Sequence, residues 1–517
     1  MLASLFVYKS MWQYLLFGVL SVIATLIFLF VHFKKKRTSV CVTWVDICVA
    51  MWCFWLLLCL CFFPCEHYHL VYLLTSGLLF FAMRGLLYYK KSRRLFRPLL
   101  ELMVVYVVVV CILQLLNVIN SGNKLFHVTG PHENPNVTAM FLALCLPLLL
   151  FDKRERNPSL SSGCSAFLFF SKKKKNVCFK LATFVGWTAV LGGIMCIMLL
   201  RCRTAWVGMT MTLLVYLWNQ KKVRAHIYFL SRKKKALLAF FASIVVVFSG
   251  TGMYRMKKAS ADGRLFIWKV ATSQLKDTPW NGRGYGLYEV FYNKYQKEYL
   301  ATHFVSQNES ANARYVFMPY SEWLENALSG GIPGGVLFVL LLTVPLCQAV
   351  KKKDFLYICA FSNVVWFASV NYLTRAIPVW TLFVLYMAAW SNTVCYVEWR
   401  SKWLRYVCRM TILAWMCMST SSYVKKGVAQ YQLKQSIDIF AYQPQRALDV
   451  MLKYYGWAST SECYLRYYGQ MLLAHGHYAE AEKVLSRALC FTYNTRTLAE
   501  LENAHLLKKQ NKDEGEE

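Results

Sequence analysis

Long apolar runs separated by short basic connectors dominate the chain. Windows of about 18–25 apolar residues are long enough to cross a bilayer. They predict about twelve transmembrane helices, near residues 12–33, 40–63, 67–83, 98–116, 137–151, 178–200, 204–218, 236–252, 332–350, 355–372, 377–397 and 404–423. The first run is long enough to stay as a helix, so no cleavable signal peptide is read there. One long stretch, 253–331, lies between spans without being a simple basic connector. It is too aromatic for plain disorder and shows no clear helical or strand period, which marks a functional loop.

From about Ala441 the pattern turns to soluble helices. The segment "YYGQMLLAHGHYAEAEKVLSRAL" places Gly469, Gly476, Tyr478, Ala481, Leu485 and Ala488 where two antiparallel helices would touch closely. It resembles a tetratricopeptide repeat, of period about 34 residues. The alternative is an ordinary helical hairpin. The fold class is therefore all-α: a polytopic membrane protein with a large periplasmic loop and a C-terminal helical-repeat domain. The divisions are 1–252 (helices 1–8), 253–331 (the site-bearing loop), 332–423 (helices 9–12), 441–507 (the repeat-like domain) and 508–517 (a charged tail).

Composition agrees: 57% of residues are hydrophobic and mean hydropathy is +0.35. The formal charge of +33 would fit nucleic acid, but no nucleic-acid motif accompanies it. The charge instead sits in runs between spans: Lys34–Arg37, Lys90–Arg94, Lys172–Lys175, Arg232–Lys235 and Lys351–Lys353. That is positive-inside signalling. It turns these connectors to the cytoplasm, and 117–136, 201–203, 253–331, 373–376 and the C-terminal helices to the other side. Most of the 19 Cys lie in apolar spans, and no paired CxxC or HxxxH spacing points to a metal.

Three clusters on the non-cytoplasmic side carry candidate chemistry. In "HVTGPHENPNVTAM", Asn134 and Asn136 put polar groups at a span entrance, as ligand contacts or as helix caps. In "RCRTAWVGM", Arg201 and Arg203 sit on the side that positive-inside proteins avoid, where a charge at membrane depth is costly without a task. The long loop supplies Arg264, in an amphipathic stretch that would lie along the membrane with Trp268 at its interface. It also supplies Arg283 within "NGRGYG". Those glycines would form a turn that brings backbone N–H groups to a ligand. Glu322 and Glu325 are three apart on one face of a short helix. Several arginines in one pocket suit a pyrophosphate, held without a metal or other cofactor. A carboxylate such as Glu322 or Glu289 would deprotonate an acceptor hydroxyl.

Four pieces in order resemble motifs of the O-antigen ligase and polymerase superfamily, which includes protein O-oligosaccharyltransferases. They are "TGPHENPN", "RTAWVG", "GRLFIW…PWNGRGYG" and "PYSEWLENALSGGIPGG". The resemblance implies a glycosyltransferase whose donor is a glycan on undecaprenyl pyrophosphate. Its acceptor is a hydroxyl of lipid A core, of another glycan (an O-antigen polymerase) or of a protein. It makes Arg203 and Arg264 the arginines that engage the pyrophosphate. Where the family often has His-Asn, this chain has Tyr320-Ser321 followed by Glu322; Glu322 would then act as base with Tyr320 in a hydrogen-bonding place, or the acceptor differs. A transporter of lipid-linked sugars would show broken helices and midplane charges; a non-catalytic scaffold, with the repeats recruiting a protein partner, would tolerate loss of Arg203 and Arg264. A reporter fused after Gln430 tests the span count: a periplasmic signal is expected, and a cytoplasmic one breaks it.

Overall fold

The computed structural model describes residues 10–33, 39–63, 65–87, 90–123, 125–151, 175–234, 236–237, 240, 251–252, 254–255, 258–391, 395–398 and 402–513. Among these the protein is helical apart from one antiparallel pair, β1 (Ser39–Val42) with β2 (Cys395–Glu398). The first helices are α1 (Ser10–Phe33), α2 (Trp44–Phe62), α3 (His67–Leu87), α4 (Lys90–Leu115), α5 (Pro135–Phe151), α6 (Lys175–Leu199), α7 (Arg203–Asn219) and α8 (Lys221–Phe229). The expected span 236–252 falls almost wholly outside the described residues. Among the described residues four apolar segments are long enough to cross a membrane by length and composition: α2, α3, Phe96–Leu115 of α4, and Glu322–Lys351. Shorter apolar stretches run at Leu16–Leu29, Pro135–Phe151, Phe184–Leu199, Phe355–Val370 and Ile377–Trp390. The expected second span begins four residues late because Thr43 stops the strand and caps α2: its hydroxyl accepts from Asp46 N at 3.2 Å, and the Asp46 carboxylate accepts from Thr43 N at 2.6 Å.

The long loop is mostly helical, against the expectation of an aperiodic segment. It forms α9 (Lys258–Leu275), α10 (Tyr288–Thr302) and α11 (Gln307–Asn312). The apolar sides of α9 and α10, with Val316 beyond α11, make a satellite core of Phe266, Val270, Ala271, Tyr292 and Val316. Trp268 is turned inward, its indole N–H donating to Pro319 O at 2.8 Å. Each helix buries only one narrow stripe, and the Gly-rich turn between α9 and α10 breaks the period, so the pattern was weak in sequence.

The loop ends in α12 (Glu322–Lys351), one helix broken at Gly330–Gly331. Breaking a helix frees carbonyls that need new partners. Ile332 N turns to Pro279 O (2.7 Å), and Leu328 O accepts from Arg283 N (2.7 Å). Pro333 has no N–H for Ser329 O, which accepts from Gly284 N (2.9 Å) instead. Gly330 O accepts from the Trp55 indole of α2 (3.1 Å). The amides of Arg283 and Gly284 are thus spent on the helix break, while that of Gly282 donates to Thr278 O (3.3 Å); here the turn acts as a backbone clasp.

The chain continues through α13 (Phe355–Val370), α14 (Ile377–Trp390) and the long α15 (Lys402–Ile439). Trp52, Phe338 and Trp380 stack at the centre of the bundle, with ring centroids 5.8–6.3 Å apart. At one end of the bundle β1 pairs β2, and Arg84 meets Asp46 at 2.6 Å. At the other end Glu66 N donates to Tyr285 O of the loop (2.9 Å), while the Glu66 carboxylate meets Lys426 of α15 at 3.4 Å. The long α15 therefore runs from the strand end to the loop end. It delivers α16 (Pro444–Ala458), α17 (Glu462–Ala474), α18 (Tyr478–Ala488) and α19 (Thr495–Asp513) beside the loop. There Thr492 Oγ1 donates to Glu289 Oε1 at 2.6 Å, so Glu289 joins the loop to the C-terminal helices. α17 and α18 touch closely at Gly469, where an added Cβ would meet Leu485 at 2.6 Å.

Gly331 has φ 70, and a Cβ there would lie 2.1 Å from Trp280 O. Gly331→Ala should cost roughly 3 kcal/mol and lower the Tm of the purified protein. Gly456→Ala, in an exposed helix with nothing within 4 Å, should raise stability by about 0.5–1 kcal/mol.

Candidate functional site

Arg264 stands on α9 and reaches over the N-terminus of α12. Its Nη1 donates to Val370 O at 2.5 Å, and its guanidinium lies 4.8 Å from the centre of the Tyr320 ring. Burial lowers its proton affinity, and the Arg203 charge lowers it further, while Tyr320 and Tyr372 act the other way. Two guanidinium groups thus bear on one half-buried place. Tyr320 sits just ahead of α12 with φ 53, a left-handed conformation that a bulky residue rarely adopts. It is held between the Arg264 guanidinium and the Tyr372 ring, which it meets edge-on at 6.3 Å.

The first motif arrives from α4 and α5. Gln114 acts on the turn as a backbone strand would: its Oε1 accepts from Thr129 N (2.9 Å) and Gly130 N (2.8 Å), and its Nε2 donates to Gly130 O (3.0 Å). Gly130 has φ 70 and packs on Thr138. Asn134 caps α5, its Oδ1 accepting from Asn136 N at 2.9 Å, and its Nδ2 donates to Tyr372 OH at 2.5 Å. Asn134 is thus the expected helix cap, and it also meets Tyr372. The Asn136 side chain also bonds the Tyr372 hydroxyl.

The second motif opens α7. Trp206 closes the turn from α6 by donating to Ile197 O (3.0 Å). Thr204 O accepts from Trp366 (3.1 Å), and Thr204 Oγ1 accepts from Asn371 Nδ2 (3.3 Å). Arg203 begins the helix half-buried; Arg201 precedes it exposed, with φ 50. Arg283 is placed apart from this cluster. Its backbone is clasped to Leu328, eight residues along α12 from Tyr320 and roughly 12 Å away at helical rise, and its side chain meets Asp277 at 3.9 Å.

Glu322 is 1% exposed. Its Oε1 accepts from Leu373 N (2.6 Å) and Thr374 N (2.7 Å), and the Thr374 hydroxyl lies 3.0 Å from both oxygens. The carboxylate is directed into the 371–375 turn rather than toward an open face. Glu325 Oε1 accepts from Arg375 Nε (3.2 Å) and Nη2 (2.8 Å).

The residues that sequence reasoning missed are Asn371, Tyr372, Thr374, Thr204 and Gln114. A polar run, "NYLTR", interrupting two apolar spans was the visible signal. Beside the cluster lies an open, mostly apolar depression of about 350 Å³ between α9 and α12, bordered by Trp268, Ser321, Trp323, Leu324 and Ala327.

His132 is buried, and burial pushes its imidazole down to about 4 from 6.5. The unfolded chain then binds more protons between those values, so stability is lost as pH falls from about 6.5 to 4. A thermal-melt series over this window should show that loss, and His132→Gln should remove its steepest part.

The O-antigen ligase family model matches residues 187–339. None of the curated proteins compared with the chain matches it. The matched stretch begins in α6, ends in α12 and contains Arg203, Arg264, Arg283, Tyr320 and Glu322. Residues 187–339 thus match the O-antigen ligase family, and that match supports a ligase- or polymerase-type function for the chain.

Proposed function

We propose that the protein transfers a glycan from undecaprenyl pyrophosphate to a hydroxyl acceptor. The carrying observation is that Arg264, bonded to Val370 O, and Arg203, whose neighbour Thr204 bonds Asn371, come to the same turn, where the Arg203 charge bears on Arg264. Like charges brought together out of bulk water are stabilised by an anion, and a guanidinium pairs with phosphate oxygens through two parallel N–H bonds. In the reaction the acceptor hydroxyl oxygen attacks the anomeric carbon, and its proton passes to the departing pyrophosphate. The bond from that carbon to the pyrophosphate breaks, and the leaving group departs with the electron pair. Arg203 and Arg264 stabilise the growing charge, the role of a preorganised anion site. Of the carboxylates that the sequence offered as base, Glu322 points into a backbone turn and Glu289 bonds Thr492, while Tyr320 lies against Arg264.

The site end of the bundle faces the periplasm of a bacterial inner membrane on this reading, where lipid-linked glycans are consumed. The acceptor is lipid A core, a second lipid-linked glycan or a protein Ser/Thr. The C-terminal helices, joined to the loop at Glu289, recruit that acceptor or a partner as a repeat module does.

In a deletion strain of the source organism, lipid-linked glycan should accumulate and one surface product should disappear. Wild-type protein should restore it. Arg203→Ala and Arg264→Ala, present in the membrane at normal level, should each lose about 10²–10³ in activity. Full rescue by both variants would sink the transferase reading in favour of a scaffold or transporter.

A further inference from the structure

We propose that the turn Asn371–Arg375 is a working part of the site and that Glu322 is its positioning residue, not the acceptor's base. The proposal rests on the transferase reading above.

The turn joins α13 to α14, and every element that bears a site residue meets at it. Val370 O, at its edge, holds the Arg264 guanidinium. Asn371 reaches Thr204, next to Arg203. Tyr372 takes the Asn134 amide on its hydroxyl and the Tyr320 ring on its edge. The turn and its edge thus meet a residue of each of the four motif segments. Displacing this turn would move the Arg264 anchor and the Tyr372 contact together.

What holds the turn is a pair of carboxylates on the first turn of α12. Glu322 and Glu325 are three residues apart and so share a face. Glu322 takes the N–H groups of Leu373 and Thr374 and the Thr374 hydroxyl; Glu325 takes the Arg375 guanidinium. From the other side Tyr72 OH of α3 donates to Thr374 O at 2.8 Å. Asn371, Leu373 and Thr374 are all buried, so without Glu322 two backbone N–H groups would lose their acceptor away from water. A general base needs a lone pair within hydrogen-bond reach of the substrate proton. Glu322 gives its oxygens to the turn instead. Misplacement of a substrate-aligning group by about 1 Å can cost on the order of 10² in rate, which is how a residue that never meets substrate acquires a large effect.

The test uses the full-length protein in nanodiscs, with the lipid-linked glycan from the deletion strain as donor and undecaprenyl pyrophosphate as a binding probe. A Gln at 322 keeps an oxygen for both backbone N–H groups and offers an N–H to the Thr374 hydroxyl. Glu322→Gln should therefore retain kcat/KM within about threefold, with an unchanged pH profile. Glu322→Ala should lower kcat by on the order of 10²-fold and weaken binding of the probe. If Glu322→Gln is as inactive as Glu322→Ala and loses the acidic limb of the pH profile, Glu322 is the base and the proposal fails. If Glu322→Ala turns over normally, the turn has no role and the proposal also fails. Should Glu322→Ala not fold, the Gln variant alone decides. Arg264→Ala run alongside separates the two readings: if it keeps probe binding and turnover, the transferase reading itself has failed.

Discussion

The break in α12 is the constraint on which the rest of the structure depends. A helix that stops and restarts inside a bundle leaves carbonyls that water cannot serve. Here the missing bonds are supplied from two directions, by the Trp55 indole of α2 and by the amides of Arg283 and Gly284. That requirement fixes the start of α12 and brings the Gly-rich turn down onto it. The turn's glycines follow: a Cβ at Gly282 would meet Ser329 O at 2.5 Å. With α12 anchored, its first turn presents Glu322 and Glu325 to the 371–375 segment and Tyr320 to Arg264.

The chemistry of the site is a matter of charge held at close quarters. Arg264 is half-buried, bonded to a backbone carbonyl, laid against an aromatic ring, and within the field of a second arginine. Each contact orients the guanidinium, and none neutralises it. Hydrogen bonds to neutral groups and a ring quadrupole leave the positive charge available to an anion. The acidic residues nearby are otherwise engaged: Glu325 with Arg375, Glu322 with backbone N–H groups, and Glu289 with the hydroxyls of Tyr315 and Thr492.

The same contacts relate the C-terminal helices to the site. Lys426 meets Glu66, Tyr68 OH donates to Trp457 O, and Thr492 meets Glu289. These joints link α3, the loop and the C-terminal helices at the end of the bundle that carries Arg264.

Much of the fold was legible in the chain itself. Apolar length predicted about twelve membrane helices, of which four among the described residues are long and apolar enough to cross, and the composition change near Ala441 fell where the C-terminal helices lie, because burial in lipid and burial against one helix face demand different patterns. The motif segments holding Arg203, Arg264, Tyr320 and Asn134 were legible too, as polar residues in places where apolar ones are expected. The sequence alone did not show the helices of the long loop, whose buried stripes are narrow. Nor did it show the task of "NGRGYG", which looks the same whether its amides face a phosphate or a broken helix. The place of Glu322 was hidden for a related reason: a carboxylate that abstracts a proton and one that binds two amides are the same letter. What the sequence by itself determined was the elements and the candidate charges, since these follow from local hydrophobicity and spacing. Only the tertiary structure decided which charges meet and which carboxylates are occupied, because the 371–375 turn that joins them lies more than a hundred residues from Arg264 and Arg203 along the chain.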